Sequence, residues 1–317
     1  MSFSSEVKKE LLAKKDQARH CQLAELAAML GGAGKLHRQG GRMHVAFITE
    51  NEHVASRYAD LLEQTGEIKA SVTQAHHIQQ KNKISYLVDL SHEESVQKLF
   101  LMLKIISRDG RIREHMTLTD GQLLQKSCCK RAFLRGAFLA AGSISNPKRS
   151  YHFEIVASDI CKAQQLQEQL LSFALEAKIV ERKNHQVVYL KEGSQIVDVL
   201  NVMGAHNALM NLENVRIIKE MRNDINRRVN CETANINKTV NAAYKQQETI
   251  RFLQQEGILW GLPQQLQEIA QLRMEYPEAT IQELGVFCNP QVGKSGVNHR
   301  LRRLSEIAKQ MGFEPNR

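Results

Sequence analysis

The sequence predicts an α+β fold: two copies of one unit, then a helical linker and an all-α module at the C-terminus. The segment LRGAFLAAGSI at residues 134–144 has a weaker copy, LAELAAMLGGAG, at residues 23–34, and a strand pattern follows each copy. Aligning Gly34 with Gly142 places the copies 108 residues apart, a spacing typical of a duplicated domain and too long for a solenoid repeat. Residues 262–317, in contrast, carry only helical patterns.

Composition places the chain among globular proteins of about two domains. Hydrophobic residues make up 42% of the 317 residues and charged residues 24%. No apolar run approaches the roughly 20 residues that span a bilayer, and the N-terminus lacks the apolar stretch of a secretory signal. The six cysteines form no CxxC pair, so we expect reduced thiols in a cytoplasmic protein.

The first unit is predicted as helix, strand, helix, strand, strand, helix. Ser4 and Asn51 are expected to cap two of its helices, Gly31-Gly32 and Gly66 to end two of them, and SHEE at 91–94 to form a capping box. Alternating apolar and polar residues indicate the strands. A separate helix at 4–15 is predicted to precede the unit, and the helix carrying CQLAELAAMLGG opens it. The other predicted bounds are a helix at about 51–66, strands at 42–49, 68–73 and 84–90, and a last helix from the capping box to about 106.

The second unit repeats this order. Its predicted elements are helices at 131–141, 159–174 and 195–203 and strands at 151–156, 178–182 and 186–190. Each unit is too small to bury both faces of its sheet, so we expect the two to pack as a pseudo-symmetric pair. The small residues Ala24, Ala28, Gly136 and Ala140 predict that the two Ala/Gly-rich helices form the joint.

A long helical stretch from 211 to about 256 follows, with apolar residues at helical spacing and an unusual density of asparagine. Because asparagine is a mediocre helix former, the stretch predicts an interdomain helix with a break near Asn230. An alternative is a helix that docks on the repeats or contacts phosphates through Arg222, Arg227 and Arg228.

The C-terminal module predicts a helix-turn-helix. Its first helix begins at Leu262-Pro263 and ends at Tyr276-Pro277. Thr280 to Glu283 is a capping box for a short second helix. Asn289-Pro290 then interrupts the chain before a final helix at 292–311. With Val297, Leu301, Leu304 and Ile307 turned inward, the outer face predicts a recognition helix. The predicted base-reading residues are Lys294, Ser295, Asn298, His299 and Arg302; Arg300 and Arg303 are expected at phosphates, and Thr280 and Gln282 complete the surface. A three-helix interaction module without a DNA role is the alternative.

Charge supports a polyanionic partner. The net charge is +9; residues 288–303 hold four basic residues and no acid, and residues 108–149 hold nine Lys/Arg against three Asp/Glu. The second of these runs is either a solvated face or a secondary DNA contact that includes Arg131 and Arg135.

Neither a nucleotide site nor a metal site is expected. GKS at 293–295 and GGAGK at 31–35 both lack the glycine that opens a phosphate loop. The twelve histidines form no HExxH pattern, and Cys128-Cys129 is interpreted as a pair of structural thiols. We therefore expect no cofactor.

The two Ala/Gly-rich helices resemble the LAGLIDADG helices of homing endonucleases, whose ends carry acids that bind divalent metal. The motif falls on residues 26–34 and 134–142, where the acid before the final glycine is replaced by Ala33 and Ala141. The motif's other acid is replaced by Gly31 in the first copy and by Leu139 in the second. Without these carboxylates the resemblance implies no Mg²⁺ site and no cleavage by this route.

A degenerate LAGLIDADG-like scaffold followed by a helix-turn-helix resembles the WhiA family of bacterial regulators. The resemblance covers nearly the whole chain and is most specific in RNDINRRVNCETANINKT from Arg222, LPQQLQEIAQLR from Leu262 and GKSGVNHRLRRL from Gly293. It implies a cytoplasmic, nucleoid-associated, double-stranded-DNA-binding protein with roles in cell division, chromosome segregation, or transcription regulation during sporulation. It also implies that the helix-turn-helix is the main DNA-binding element.

Two other functions stay open from the sequence. One is a residual metal-dependent nuclease using acids outside the motif, such as Glu25 or Glu154. The other is an adaptor whose repeat domain binds a protein partner. The predicted domains are repeats at 1–120 and 121–215, a helical linker at 216–258 and a helix-turn-helix at 259–317.

Overall fold

The computed structural model describes residues 2–39, 42–76, 84–106 and 119–313. Contacts divide the chain into two compact units, Met1–Lys219 and Glu220–Arg317. No described helix combines the length and the apolar character that a membrane crossing needs.

The first unit begins with a four-stranded antiparallel sheet flanked by helices. The strands lie in the order β1-β2-β4-β3. The elements are α1 (Phe3–Ala13), α2 (Arg19–Ala33), β1 (Gly34–Gln39), β2 (Arg42–Thr49), α3 (Glu52–Gly66), β3 (Val72–His76), β4 (Ile84–Leu90) and α4 (Glu93–Met102).

The same succession then repeats within this unit. A second antiparallel sheet has the order β5-β6-β8-β7, matching the first strand for strand. Its elements are a 3-10 helix (Gly121–Leu124), α5 (Ser127–Ala141), β5 (Gly142–Ile144), β6 (Phe153–Ala157), α6 (Ile160–Leu171), β7 (Lys178–Arg182), β8 (His185–Leu190) and α7 (Gly193–Met203). The predicted α+β fold of two similar units is confirmed.

The paired helices α2 and α5 form the joint between the repeats, as the small residues predict. A Cβ on Gly136 would lie 2.4 Å from the carbonyl oxygen of Glu25, and one on Gly32 would lie 3.0 Å from the Cβ of Ala140. Only glycine allows backbones to approach this closely. Leu26 and Leu134 are fully buried at the same joint, so close packing and apolar burial act together.

Several predicted boundaries in the first repeat are wrong for local reasons. Ser2 rather than Ser4 caps α1, because Phe3 already packs in the core as part of that helix. The Gly31-Gly32 pair does not end α2, which continues to Ala33 with Gly32 against α5. The SHEE capping box does not form, since α4 begins after His92.

Strand β3 begins later than predicted because of the way α3 ends. Glu67 takes a left-handed φ of 51°, and the N–H of Ile68 donates to the carbonyl oxygen of Leu62 at 3.2 Å. These contacts are those of a helix C-cap, so residues 67–68 close the helix instead of opening a strand. Strand β1 was not predicted at all.

Helix α8 (His206–Gln255) runs without interruption through the position where a break near Asn230 was predicted. That prediction is wrong because asparagine lowers helix stability by less than about 1 kcal/mol per residue, and α8 contains neither proline nor glycine. Between residues 221 and 240 its large apolar residues are exposed rather than covered. They include Met221, Ile225, Val229, Ile236 and Val240.

The rest of the second unit is a small helical module with its own apolar core. A 3-10 helix (Leu259–Gly261) leads into α9 (Gln264–Glu275), α10 (Ile281–Phe287) and α11 (Lys294–Gln310). The core residues come from all of these elements and from the end of α8, and they include Ile250, Leu253, Leu259, Ile269, Leu284, Val297, Leu301 and Leu304.

Candidate nucleic-acid interface

The short helix α10 begins at a complete capping box. Thr280 Oγ1 accepts a hydrogen bond from the Glu283 N–H at 3.3 Å, and Glu283 Oε2 accepts one from the Thr280 N–H at 2.7 Å. Donation to the Glu283 carboxyl by the Thr280 backbone N–H, and to a lesser extent by the Thr280 hydroxyl, lowers the pKa of that carboxyl. The predicted capping box is confirmed, and it fixes the positions of Thr280 and Gln282 at the start of α10.

The connection from α10 to α11 is tight. The N–H of Val292 donates to the carbonyl oxygen of Gly285 at 2.9 Å, and a Cβ on Gly285 would lie 2.1 Å from the Val292 carbonyl oxygen. Glu268 on α9 supports the same connection by accepting from the Asn289 N–H at 2.7 Å. The turn therefore holds the two helices in one fixed arrangement.

Helix α11 separates its faces as the sequence predicts. Val297, Leu301 and Leu304 are buried, and Ile307 packs partly buried against the same core. The predicted outer residues are solvent-exposed, and they are Lys294, Ser295, Asn298, His299, Arg302 and Arg303 on α11 with Thr280 and Gln282 at the start of α10.

The two helices meet at a cleft of about 440 Å³ on this exposed surface. Gln282 of α10 and Lys294 of α11 line it, together with Gln291 and Gly293 of the turn. Gly293 occupies the N-cap position of α11 and gives no side-chain hydrogen bond to the first turn of the helix. Sequence reasoning missed Gln291 and this helix end, which only the folded turn brings beside Gln282.

The arginines of α11 differ in availability. The Arg302 side chain is 82% exposed and its Nε lies 3.6 Å from Glu306, whereas Arg303 is 53% exposed and pairs with Glu306 at 3.1 Å. Arg300 is only 12% exposed, because its Nη1 contacts Glu268 at 3.1 Å. The prediction that Arg300 contacts phosphate is therefore corrected: it ties α11 to α9.

The predicted secondary contacts fall into three groups. Arg222, Arg227 and Arg228 are exposed on α8, and Arg131 is exposed on α5 with its guanidinium 5.3 Å from the Phe173 ring centre. Arg135 is 1% exposed, so its predicted DNA contact is wrong. Positions 108–118 of the basic run lie outside the described residues.

Arg135 belongs to a buried ionic network between α2, α3 and α5. Its Nε lies 3.2 Å from Glu25 Oε2, its Nη2 contacts Asp16, and Arg57 contacts Glu25 Oε1 at 2.8 Å. Glu25 is fully buried. It cannot meet a phosphate or a metal from solvent, so its proposed part in a residual nuclease is wrong.

Glu154, the other candidate acid, is partly buried on β6. It contacts His152 at 2.9 Å and Arg182 at 3.6 Å and accepts a hydrogen bond from the Ser143 hydroxyl at 2.9 Å. Burial raises the pKa of this carboxyl, but the bonds from His152 and Ser143 outweigh it and the pKa is lowered. Glu154 is therefore an ionised carboxylate engaged by the side chains around it.

Ala33 and Ala141, the degenerate metal positions, lie at the C-terminal ends of α2 and α5. They line a cleft of about 560 Å³ that also contains Lys8 and Glu50. Lys8 Nζ donates to the carbonyl oxygen of Leu139 at 3.1 Å, and burial lowers the pKa of Lys8 to about 8 against the opposing effect of Glu50. At the two helix ends this cleft presents the methyl groups of Ala33 and Ala141, where a two-metal nuclease needs carboxylates.

Comparisons with known proteins agree along the whole chain. Residues 19–106 match a WhiA N-terminal LAGLIDADG-like domain, residues 130–222 a WhiA LAGLIDADG-like domain and residues 225–308 a WhiA C-terminal HTH domain. Two relatives are each called probable cell division protein WhiA. The one from Lachnoclostridium phytofermentans is 48% identical over 97% of this chain and 98% of its own, and the one from Alkaliphilus oremlandii is 44% identical over 98% of both.

One solved structure shows the same fold over nearly the full length. The crystal structure of full-length DUF199/WhiA from Thermatoga maritima covers 98% of this chain and 99% of that chain, with a TM-score of 0.58 and 23% identity.

Proposed function

The chain belongs to the WhiA family, and we propose that it is a non-enzymatic regulator that binds double-stranded DNA through α10 and α11. The observation that carries the proposal is the outer face of α11. It is exposed, basic and free of acids over residues 288–303, while its opposite face is buried in the core of the module.

Sequence preference is assigned to side chains with the right donors. The amide of Asn298 can bond an adenine edge in two places, and the guanidinium of Arg302 can do the same for guanine. Both are exposed on α11, and Lys294 and Ser295 lie one turn nearer its N-terminus. His299, Thr280 and Gln282 extend the same polar surface.

Affinity is assigned to contacts with phosphate. Arg303 is half exposed and pairs with the exposed Glu306 at 3.1 Å, so it can exchange that partner for a phosphate oxygen. Arg222, Arg227 and Arg228 on α8 and Arg131 on α5 are proposed secondary contacts. Arg300 and Arg135 take no part, because Arg300 is mostly buried against Glu268 and Arg135 is fully buried.

A binding experiment with the full chain tests this assignment. Preferred duplexes are first selected from a random pool with the unaltered protein, and Asn298→Ala and Arg302→Ala are then titrated on the best duplex and on a scrambled one. Each variant should lose about 1–3 kcal/mol on the preferred duplex and little on the scrambled one. Lys309→Ala, in the last turn of the same helix, is the matched control. Binding by the variants equal to that of the unaltered chain would show that α11 is not the recognition helix.

Salt dependence separates phosphate contacts from base contacts. Arg303→Ala should weaken binding to both duplexes alike and make the slope of log K against log salt shallower by about 1. Asn298→Ala should leave that slope unchanged. A sequence-dependent loss at Arg303 would contradict its assignment to phosphate.

We propose that DNA binding in the cell supports cell division, by acting on transcription or on chromosome segregation. In a host that forms spores, the same role would extend to sporulation. This places the protein in the cytoplasm at the nucleoid. The relatives' name supports the link to division, since they are called probable cell division proteins.

A second candidate function is an adaptor that binds a protein partner. The observation that favours it is the exposed apolar stripe on α8, since apolar surface of this kind often marks interaction sites. A partner on the repeat domain is part of the same hypothesis. A chain that ends before Leu262 and still supports normal division would favour the adaptor over the DNA-binding regulator.

The nuclease alternative has its own test. Supercoiled DNA incubated with the full chain and Mg²⁺ or Mn²⁺ should remain uncut, because Glu25 is buried and Ala33 and Ala141 supply no oxygen ligands. Cutting that disappears in Glu154→Gln would instead support a residual nuclease.

A further inference from the structure

The first turns of α2 and α5 bring four potential metal ligands together. They are His20 and Cys21 on α2 and Cys128 and Cys129 on α5, and their ligand atoms all lie within 4.8 Å of one another. His20 Nδ1 is 3.2 Å from the Cys129 sulfur and 3.3 Å from the Cys21 sulfur. The pair on α2 is distant in the sequence from the pair on α5.

The repeat symmetry explains why the four meet. Gly34 and Gly142 are 108 residues apart, and the same offset relates His20 to Cys128 and Cys21 to Cys129. Each pair therefore occupies the second and third residues of its helix. Because α2 and α5 pack closely side by side, the pseudo-symmetric arrangement turns both pairs toward one point.

Three thiols and one imidazole are a ligand set that Zn²⁺ prefers. Tetrahedral Zn²⁺ takes sulfur at about 2.3 Å and nitrogen at about 2.0 Å, which places the ligand atoms roughly 3.5–4 Å apart. The present spacings need only small side-chain rotations to reach that geometry. Cys21 and Cys129 are buried, while His20 and Cys128 are exposed and leave a path for the ion.

We propose that His20, Cys21, Cys128 and Cys129 bind one zinc ion, which links the N-terminal end of α2 to that of α5. All four positions come from the protein, so the site is structural and holds no open position for catalysis. It joins the two repeats at the ends of α2 and α5 opposite to Ala33 and Ala141. The sequence predicted no metal site, because ligand motifs such as HExxH and CxxC lie within one segment. These four ligands come from two segments that are distant in the sequence.

Metal content of the full chain tests the proposal. Protein purified without chelator and dialysed against buffer should retain about one zinc per chain, and so should Cys231→Ser, whose thiol is exposed on α8. Cys128→Ser and His20→Ala should each retain far less. Co²⁺ added to stripped protein should give the intense sulfur-to-metal absorption of a tetrahedral thiolate site, weakened in Cys128→Ser. Zinc lost equally in Cys231→Ser, or absent from the unaltered chain, would overturn the proposal.

A labelling experiment covers the case in which a variant fails to fold. In the unaltered chain Cys128 and Cys231 are both exposed, so iodoacetamide should label both when the metal has been removed. Added Zn²⁺ should protect Cys128 and leave Cys231 reactive. Protection of both thiols, of neither, or a disulfide between Cys21 and Cys128 in the purified chain would contradict the zinc site. None of these outcomes depends on DNA binding.

Discussion

At the scale of the residue, Glu25 is the buried charge on which the joint between the repeats depends. It lies between the guanidinium groups of Arg57 and Arg135, which are 4% and 1% exposed. Replacing it by glutamine removes the carboxylate that Arg57 contacts and leaves Arg135 with the carboxylate of Asp16. Because a buried charge then loses its counter-charge, Glu25→Gln should lower the free energy of unfolding by about 3–5 kcal/mol. Urea unfolding followed by circular dichroism measures this, with exposed Glu63→Gln on α3 as the control. Equal midpoints for both variants would show that the network contributes little.

Lys8 gives stability a dependence on pH. Its pKa of about 8 in the folded chain lies below its ordinary value of 10.5, because burial disfavours the ammonium. The unfolded chain therefore binds more protons between pH 8 and 10, and stability rises with pH there. The unfolding free energy of the unaltered chain minus that of Lys8→Met should increase by up to about 1 kcal/mol per pH unit in this window. A difference that is flat or falls would contradict the buried ammonium.

At the scale of the element, the contact of α2 with α5 sets the geometry of the first unit. Gly136→Ala places a methyl group 2.4 Å from the backbone oxygen of Glu25, and backbone cannot swing aside. The helices must separate, at a cost of about 1–3 kcal/mol. Gly121→Ala, where nothing lies within 4 Å, is the matched control and should unfold at the temperature of the unaltered chain. A Gly136→Ala protein as stable as this control would refute the close approach.

Features that depend on neighbours in the sequence were predictable. The capping box at Thr280 and the buried stripe of α11 involve residues three or four apart, so local spacing reveals them. The start of β3 was not predictable, because the left-handed Glu67 that closes α3 gives no strong sequence pattern. Hydrophobic alternation alone assigns Ile68 to a strand.

Features that depend on distant residues were missed or misassigned. Arg135 sits in a basic run and was expected at the surface, but Glu25, 110 positions earlier, holds it inside. The Cys/His cluster was missed for the same reason, since its halves meet only when α2 and α5 pair. Arg300 was misassigned within a single module, because its contact with Glu268 on α9 removes most of its side chain from solvent.

At the scale of the whole molecule, two LAGLIDADG-like repeats form the first unit and a helical module follows in the second. Ala33 and Ala141 line a cleft that contains the ammonium of Lys8. The exposed basic surface of residues 294–303, a stretch without Asp or Glu, lies instead on α11 of the second unit. We therefore propose that the second unit, through α11, recognises DNA.

The most direct test of this assignment is a genome-wide map of DNA occupancy in cells that produce either the unaltered chain or the double variant Asn298→Ala, Arg302→Ala. The two substitutions leave the buried stripe of Val297, Leu301 and Leu304 untouched, so the module should stay folded. We predict discrete sites for the unaltered chain and for Lys309→Ala, and their loss in the double variant at equal protein level. The same sites occupied to the same extent by the double variant would contradict recognition through α11.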